Sequence, residues 1–294
     1  MGTTKVILLA CGSFNPITNM HLRMFEIARD HLHRMGTHEV VGGVVSPVHD
    51  TYGKKDLELS HHRITMLKVA LRDHDWVRLS EWECRQESWS RTRQVLQYHQ
   101  NQVNAALNSA NNNCFDVNES DTSWIPENVK NNDVGPVKVK LLCGADLLES
   151  FGTPGLWADA DIAEIVGQHG LVVITRASCN PNEFIYNSDI LTSYMANIML
   201  VTEWIRNEIS STKIRRALRR SESVRYLIPD NVIDYIYEHN LFGSKKRGTR
   251  IDVQTTSVSR RKLRPRAKGR PAKQKSAIVQ RKTTRSSQAC VYVR

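Results

Sequence analysis

The segment CGSFNPITNMH, from Cys11 to His21, contains the residue types best suited to chemistry. It follows the apolar run Val6–Ala10, so we predict that a strand ends in a loop and that a helix begins near the histidine. Free backbone N–H groups at a helix N-terminus favour phosphate, and an imidazole there can donate a hydrogen bond to a charged oxygen. The segment matches neither the GxxxxGK nor the GxGxxG nucleotide fingerprint. Spacing alone leaves open a His21 that only packs.

A second candidate lies nearly 190 residues later, in the segment Ile209–Arg215 (ISSTKIR). Ser210 or Ser211 can cap a helix there, which places Lys213 in the first turn beside the free backbone donors. Lys213 offers a flexible point charge and Arg215 a planar fork suited to phosphate. The alternative is a capped helix with a solvated basic face, because runs of charge usually face water.

Two further positions follow predicted strands and could meet a nucleotide. Lys54 lies in the loop after the second strand, where it could reach a substrate phosphate or remain a solvated lysine. Gly144 and Asp146 end a later strand, where a carboxylate often meets a ribose hydroxyl or magnesium. Asp146 could instead be a helix N-cap.

Two tryptophans could hold a flat aromatic ring between them. Trp89 and Thr92 are one helical turn apart if a helix begins at Ser88, so they would share one face. Trp157 follows a loop that contains Pro154. The alternative is that both tryptophans fill the core or an interface.

The elements that must position these residues alternate between strand and helix. Apolar runs predict strands at Val6–Cys11, Val40–Val45, Trp76–Leu79, Val137–Cys143, Leu171–Thr175 and Asn197–Val201. Helical spacing predicts helices from Leu22 to Leu32, at Ser60–Arg72 with Ser60 as N-cap, from Ser88 to Ala106, and at Asp159–Val166, Ser211–Arg219 and Pro229–Asn240. This alternation indicates an α/β fold, a doubly wound, Rossmann-like parallel sheet in a single domain.

The chain divides into an acidic body and a basic tail. Residues 243–294 hold 17 Lys and Arg against one acid, Asp252, whereas the remainder holds 24 bases against 29 acids. We therefore predict a catalytic domain at 1–242 and a disordered basic tail at 243–294. Within the domain, the Asn- and Ser-rich stretch 101–135 is predicted to be a mobile, low-complexity surface insertion.

Composition also excludes several classes of protein. No apolar run reaches the roughly 18 residues of a membrane span, and the N-terminus lacks a signal-peptide layout, so we expect a soluble intracellular protein. The six cysteines form no CxxC pair and no zinc-ligand spacing. They are expected to be buried or free thiols in a reducing compartment.

Four segments together resemble one family: GSFNPITNMH, SPVHDTYGKK, LLCGADLLESF and ISSTKIRRAL are similar to the eukaryotic nicotinamide mononucleotide adenylyltransferases, within the nucleotidylyltransferase superfamily. The resemblance runs from about Val6 to Leu241. The wider superfamily often has glycine before the last histidine of its first motif, where this chain has Met20, as in the eukaryotic branch.

The resemblance implies a role for each candidate residue. The catalytic residues would be His21, Lys213 and Arg215. Contacts to ATP or NAD would come from Gly12, Ser13, Phe14, His21, Gly144, Asp146, Arg176, Asn207, Thr212, Lys213, Ile214 and Arg215. The mononucleotide would be bound by Tyr52, Lys54, Trp89, Thr92, Leu156 and Trp157.

The implied reaction transfers AMP from ATP to nicotinamide mononucleotide or nicotinic acid mononucleotide, forming NAD or its acid analogue and pyrophosphate. The attacking phosphate is already ionised near neutral pH, since its second pKa is about 6, so the site needs positive groups and not a strong base. Mg²⁺ is expected as the cofactor, held mainly by the ATP phosphates without a protein metal site. A homo-oligomer is also expected.

Two basic clusters in the tail, Lys245–Arg247 and Arg260–Arg266, resemble nuclear-import signals or a patch for acidic polymers. We therefore expect a nuclear protein whose tail binds the import machinery, with the cytoplasm as the alternative. Two rival functions remain, a chaperone-like role on an inherited fold and another adenylyl- or cytidylyltransferase activity of the same superfamily.

Overall fold

A computed structural model describes residues 2–112, 122–131, 135–176, 180–205 and 207–245. Within them, six parallel strands form one sheet in the order β3-β2-β1-β4-β5-β6. The strands are β1 (Thr4–Gly12), β2 (His38–Pro47), β3 (Val77–Leu79), β4 (Val137–Gly144), β5 (Leu171–Arg176) and β6 (Ile198–Glu203). This is the doubly wound, Rossmann-like order, and the predicted fold class and all six predicted strands are confirmed.

Helices cover both faces of the sheet. The α-helices of the described residues are α1 (Asn19–Met35), α2 (Ser60–Leu71), α3 (Thr92–Asn112), α4 (Glu127–Lys130), α5 (Ala145–Ser150), α6 (Asp159–Glu164), α7 (Pro181–Tyr186), α8 (Asp189–Ser193), α9 (Ser211–Arg219) and α10 (Asp230–Glu238). Short 3-10 turns occupy Asp50–Tyr52, Glu83–Arg85, Met195–Asn197 and Leu241–Gly243, and a π-helical turn follows α6 at Ile165–His169.

The central strand β1 divides the core into two clusters. Val6, Leu8 and Ala10 point to one face of the sheet and Ile7 and Leu9 to the other, and all five are buried. Helices α1, α2, α9 and α10 cover the first face, while α3 to α6 cover the second. A strand buried on both faces must be apolar throughout, which is why β1 reads as a continuous apolar run.

One predicted N-cap and one predicted helix start were wrong, although α2 does begin at Ser60 as predicted. Ser60 is not the N-cap of α2, since Leu59 holds that position and the Ser60 hydroxyl donates to the Asp50 carboxylate at 2.8 Å. Helix α3 begins at Thr92 and not at Ser88. The Gln94 side chain accepts a hydrogen bond from the Arg91 N–H at 2.9 Å, which stabilises the start at Thr92. Trp89 therefore lies in the preceding loop, and the argument that it shares a helix face with Thr92 fails.

The predicted surface insertion at 101–135 is largely part of the folded body. Residues 101–112 continue α3, whose Val103 and Leu107 side chains are buried, and Trp124 and Ile125 lie in the same core cluster. The abundance of Asn concealed this apolar spacing, so the interpretation as an insertion was wrong for these residues. Residues 113–121 and 132–134 lie outside the described residues, as does the tail beyond residue 245.

The strand order locates the edge at which a ligand can bind. It reverses between β1 and β4, and ligands of open α/β sheets bind beyond the carboxyl ends of the strands at this point. Gly12 and Gly144 end these two strands, and the pairing of Gly12 with Pro47 brings the loop after β2 to the same place. Within the residues described, no helix is both long enough and apolar enough to span a membrane.

Candidate functional site

The loop after β1 holds His21 through a capping box. Thr18 is the N-cap of α1, its backbone N–H donates to Nδ1 of His21 at 2.9 Å, and the His21 N–H is directed at the Thr18 hydroxyl. The histidine thus stands where Glu or Gln usually completes this motif. Because Nδ1 accepts a hydrogen bond, the neutral ring carries its proton on Nε2. Nε2 is therefore the atom that can donate to a ligand.

The surroundings of His21 favour its neutral form. Burial, together with the nearby positive charge of Lys54, lowers the pKa of His21 from 6.5 to about 4. Phe14, whose backbone has a φ of 43°, packs edge-on against the imidazole with ring centroids 5.2 Å apart. At neutral pH this site therefore offers an anion a fixed hydrogen-bond donor and not a second positive charge.

Lys54 meets the loop after β1 from the neighbouring loop. Its Nζ donates a hydrogen bond to the Ser13 hydroxyl at 3.0 Å, across 41 residues of sequence. The side chain is half-buried, so it is not the plain solvated lysine that sequence spacing left open. An ammonium and a hydroxyl now stand together at the carboxyl edge of the sheet, close enough to bind one anion jointly.

The second motif docks onto the first. Helix α9 is capped by Ser210, whose hydroxyl accepts from the Lys213 N–H at 3.3 Å. Ser211 Oγ then donates to the Pro16 carbonyl at 2.8 Å, and Arg215 Nη1 donates to the Asn15 carbonyl at 2.8 Å. These contacts bring together the two segments that the resemblance assigns to the same nucleotide. Two helix N-termini, those of α1 and α9, therefore flank the same loop.

The basic residues of α9 divide into two groups. Arg215 is buried, so it does not belong to the solvated basic face that the sequence left open as an alternative. Lys213 is exposed and forms an ion pair with Glu208 at 2.9 Å. Of their neighbours, Ile214 is buried in the core, while Thr212 and Asn207 are half-buried, and Asn207 Oδ1 accepts from the Ile209 N–H. An incoming anion would compete with Glu208 for Lys213.

Gly144 and Asp146 form a close pair at the end of β4. Gly144 is the N-cap of α5 and no side chain caps this helix, so the alternative interpretation of Asp146 as a capping residue is wrong. A Cβ on Gly144 would lie 2.5 Å from Oδ1 of Asp146, which leaves no room for any other residue without moving the carboxylate. Arg176 ends β5 at the same edge, where its backbone pairs with Glu203.

Tyr52 and Trp89 form a half-buried aromatic pair. Their ring centroids are 6.0 Å apart at an angle of 42°, and the Trp89 N–H donates to the Thr51 hydroxyl at 3.0 Å. The 3-10 turn that carries Tyr52 also leads directly to Lys54. Thr92, buried at the first position of α3, follows Trp89 by three residues.

Trp157 is placed differently. Only 9% of its surface is exposed, its ring packs edge-on against Phe151 at 4.7 Å, and Nε1 donates to Ser150 at 3.0 Å. Leu156, half-buried before it, follows Gly155 in its left-handed conformation. Most of the Trp157 ring is thus core, as one alternative held, and its contact with a mononucleotide stays a prediction.

Sequence reasoning missed Asn15 and Arg63. Both are fully buried polar side chains, and Asn15 bridges to the neighbouring loop by donating to the Asp56 carbonyl and accepting from the Glu58 N–H. Arg63 shares the apolar face of α2 with Met66, three residues later. A charged residue within an apolar helical stripe was the available signal, because such a charge is buried only with partners.

The described residues contain no group of three or more His, Cys, Asp and Glu side chains arranged to hold a metal ion. The donors of the site are mainly cationic or neutral, which suits anions and not a bare divalent cation. A magnesium ion would fit here only with oxygen ligands brought by a phosphate chain. Cys11, Cys84 and Cys143 form no disulfide bond, and burial raises the pKa of Cys84 to about 12.

The fold and the site define a class of enzyme. Residues 9–217 match the family model described as cytidylyltransferase-like, and the chain is a nucleotidyltransferase. It is 53% identical over 244 residues to nicotinamide-nucleotide adenylyltransferase of Drosophila melanogaster, covering 83% of this chain and 62% of that protein. It is 45% identical over 268 residues to nicotinamide/nicotinic acid mononucleotide adenylyltransferase 1 of Bos taurus, covering 87% of this chain and 95% of that protein. The chain belongs to the nicotinamide/nicotinic acid mononucleotide adenylyltransferase family.

Proposed function

We propose that this chain transfers AMP from ATP to the 5′-phosphate of nicotinamide mononucleotide, and also of nicotinic acid mononucleotide, in the synthesis of NAD. The observation that carries the proposal is the docking of α9 on the loop after β1, through Arg215 to Asn15 and Ser211 to Pro16. It turns two separate helix starts into one anion site. The relatives' names supply the substrates.

The reaction needs no protein nucleophile. An oxygen of the mononucleotide phosphate attacks the α-phosphorus of ATP and forms a new P–O bond. The bond between the α-phosphorus and the oxygen that bridges it to the β-phosphate breaks, which releases pyrophosphate. Because the attacking phosphate is largely a dianion at pH 7, the protein must bring two anions into line and stabilise the developing charge. A site rich in donors, with His21 neutral, suits this task.

Each group then has a stated task. Nε2 of His21 donates to an ATP phosphate oxygen, and Lys213 leaves Glu208 to bind the same phosphate chain, with Thr212, Asn207 and Arg176 as further contacts. Lys54 and Ser13 bind the phosphate of the mononucleotide. Arg215 holds the loop after β1 in place through Asn15, so it contributes to catalysis by positioning that loop.

The adenosine and nicotinamide ends have separate subsites. Gly144 and Asp146, at the end of β4, would bind the adenosine, where the exposed carboxylate can accept from a hydroxyl. Tyr52 and Trp89 would hold the nicotinamide, with Thr92, Leu156 and Trp157 beside it. Mg²⁺, held by the ATP phosphates and water, would offset their negative charge.

The proposal is tested by incubating the purified chain with ATP, Mg²⁺ and each mononucleotide in turn, and by separating the products. We expect NAD from the amide substrate and its acid analogue from the other. Replacing ATP with CTP is the matched control, since the family model also describes cytidylyltransferases. A product formed from CTP and not from ATP would contradict the proposal.

The basic tail supports a further proposal, that the protein is imported into the nucleus. Imaging a fluorescent fusion of the whole chain against one truncated after Gly243 tests this, and nuclear enrichment of both would contradict it. The homo-oligomer also remains a proposal, which light scattering of the purified chain would test. The chaperone-like role stays a prediction, since no contact of the described residues favours it.

A further inference from the structure

Arg63 is an arginine whose side chain is completely buried. It lies on α2 with 0% of its surface exposed, among the largest fully buried side chains of the described residues. Removing a guanidinium from water is costly unless its donors are bonded. Its hydrogen bonds therefore identify what the protein gains from the burial.

The guanidinium binds four acceptors in three different segments. Nε donates to the Glu58 carbonyl at 2.8 Å, and Nη1 donates to the Ser13 carbonyl at 3.2 Å. Nη2 donates to the Val48 carbonyl at 2.7 Å and to the Asp50 carboxylate at 2.9 Å. One planar fork thus joins the loop after β1, the end of β2 with the turn that follows it, and the approach to α2.

These acceptors enclose Lys54. Asp50 lies four residues before Lys54 and Glu58 four residues after it, so Arg63 fixes both ends of the segment that carries the lysine. The Lys54 Nζ in turn donates to the hydroxyl of Ser13, whose carbonyl Arg63 also binds. The lysine and its hydroxyl partner are therefore held by the same guanidinium.

The electrostatics of Asp50 agree with this arrangement. Burial would raise the pKa of the Asp50 carboxyl, but hydrogen bonds from Ser60 and Arg63 outweigh it and hold the pKa below its ordinary value. Asp50 is thus ionised at neutral pH and balances the buried guanidinium.

We infer that Arg63 is a positioning residue for the mononucleotide subsite, which holds Lys54 and Ser13 ready to bind the substrate phosphate. Arg63 does not itself contact the substrate. The inference rests on the proposed function and deepens it, because it names a residue outside the mononucleotide subsite that holds the residues of the subsite in position. Lysine cannot replace it, since a single ammonium cannot reproduce a fork bonded to three segments.

The test compares Arg63→Lys with the native chain, using nicotinamide mononucleotide as the probe in calorimetric binding and both substrates in steady-state kinetics. We expect the Kd and KM for the mononucleotide to rise by about tenfold, as for the loss of one good hydrogen bond, while the KM for ATP changes by less than about threefold. A residue needed only for folding would lower the melting temperature and the active fraction but leave both KM values unchanged.

Two further variants keep the test decisive. Arg29→Gln is the matched control, because Arg29 forms an ion pair with Glu26 and lies 4.3 Å over the Trp76 ring, and neither contact involves an acceptor of Arg63. It should leave mononucleotide binding unchanged. Asp50→Asn removes the charge partner while leaving Arg63 in place, and serves if Arg63→Lys fails to fold. It should weaken mononucleotide binding by about threefold.

The outcomes separate the inference from the proposed function. If the native chain does not bind nicotinamide mononucleotide, the proposed function fails. If the native chain binds it and the folded Arg63→Lys chain, or Asp50→Asn in its place, binds it equally tightly, the proposed function stands and the role of Arg63 is overturned.

Discussion

The guanidinium of Arg215 donates a hydrogen bond to the carbonyl of Asn15 at 2.8 Å, joining residues that are 200 positions apart in the sequence. The arginine is buried and belongs to the second helix start, whereas the asparagine belongs to the loop of the first. Because the site depends on a contact between the two segments, neither segment alone is enough to predict it. Together they bring the N-termini of α1 and α9 to the carboxyl edge of the sheet.

Replacing Arg215 with glutamine should therefore disrupt the site as well as the fold. We expect a loss of about 1–3 kcal/mol in the free energy of unfolding, since the buried Asn15 carbonyl loses its charged donor, and a fall in turnover of at least about tenfold. Arg216→Gln is the control, because Arg216 is exposed on the same helix. Denaturant titration measures the stability and initial rates measure the turnover. Equal stability and equal turnover of the two variants would show that the contact between Arg215 and Asn15 does not hold the site together.

His21→Ala should lower turnover by about a hundredfold, the usual effect of removing one donor to a developing charge. The fold should survive, because the capping bond lost with the ring is worth only about 1 kcal/mol. His31→Ala, on the same helix, is the control and should turn over normally. A folded His21→Ala chain that makes product at the native rate would remove His21 from the mechanism.

Protonation of buried histidines should destabilise the protein in mild acid. His99 is fully buried, its Nδ1–H donates to the Val95 carbonyl and its Nε2 accepts from Ser80, and burial lowers its pKa from 6.5 to about 4. The unfolded chain therefore binds a proton between pH 6.5 and 4 that the folded chain does not, and stability falls as the pH falls through this window.

For His99 the loss between pH 7 and pH 5 should be about 2 kcal/mol, and His21, whose pKa is lowered in the same direction, adds to it. His99→Gln should lose about 2 kcal/mol less over the same interval. Urea titrations of both chains at the two pH values measure the difference. An identical pH dependence would mean that folding does not lower the pKa of His99.

The two tryptophans should differ when each is replaced by leucine. Trp89→Leu should raise the KM for the mononucleotide about fivefold, through the loss of ring stacking, with little change in stability because the ring is half-exposed. Trp157→Leu should cost about 3 kcal/mol of stability, since it removes a buried ring packed on Phe151. Thermal unfolding and substrate titrations distinguish them, and a reversed pattern would contradict the assignments.

Lys213 and Glu208 provide a charge test that leaves the fold intact. Their ion pair is exposed, so breaking it should change stability by less than about 1 kcal/mol. Lys213→Gln should lower turnover about tenfold or more, because the ATP phosphates lose a cation. Glu208→Gln frees the lysine and should keep or raise the affinity for ATP. A loss of activity with Glu208→Gln equal to that with Lys213→Gln would show that the pair is structural.

The parts of the fold that sequence predicts well are those with strong local signals. The strands are continuous apolar runs because both sheet faces are buried, and Ser210 caps α9 as its position indicates. The start of α3 was misplaced because the Gln94 side chain stabilises a later start, and the polar surface of α3 concealed the buried Val103 and Leu107. The Gln94 contact is local and was overlooked, whereas the burial of Val103 and Leu107 arises from tertiary packing that local composition does not encode.

In the site, too, the local features could be predicted from the sequence and the tertiary contacts could not. The residues of each motif were visible in the sequence, and so was their chemistry, but the neutral state of His21 depends on burial and on Lys54, which sequence spacing does not reveal. The roles of Asn15 and Arg63 are likewise set by acceptors in distant loops. A fully buried polar side chain becomes informative only when its partners are known.

The transfer of AMP itself is the central claim, and the fate of the ATP phosphates tests it most directly. The native chain is incubated with Mg²⁺, nicotinamide mononucleotide and ATP radiolabelled at either the α or the γ phosphate, and the products are separated. We predict that the α label appears in NAD and the γ label in pyrophosphate, each in proportion to the mononucleotide consumed. Label released as free phosphate, or an α label that never joins the mononucleotide, would contradict the account.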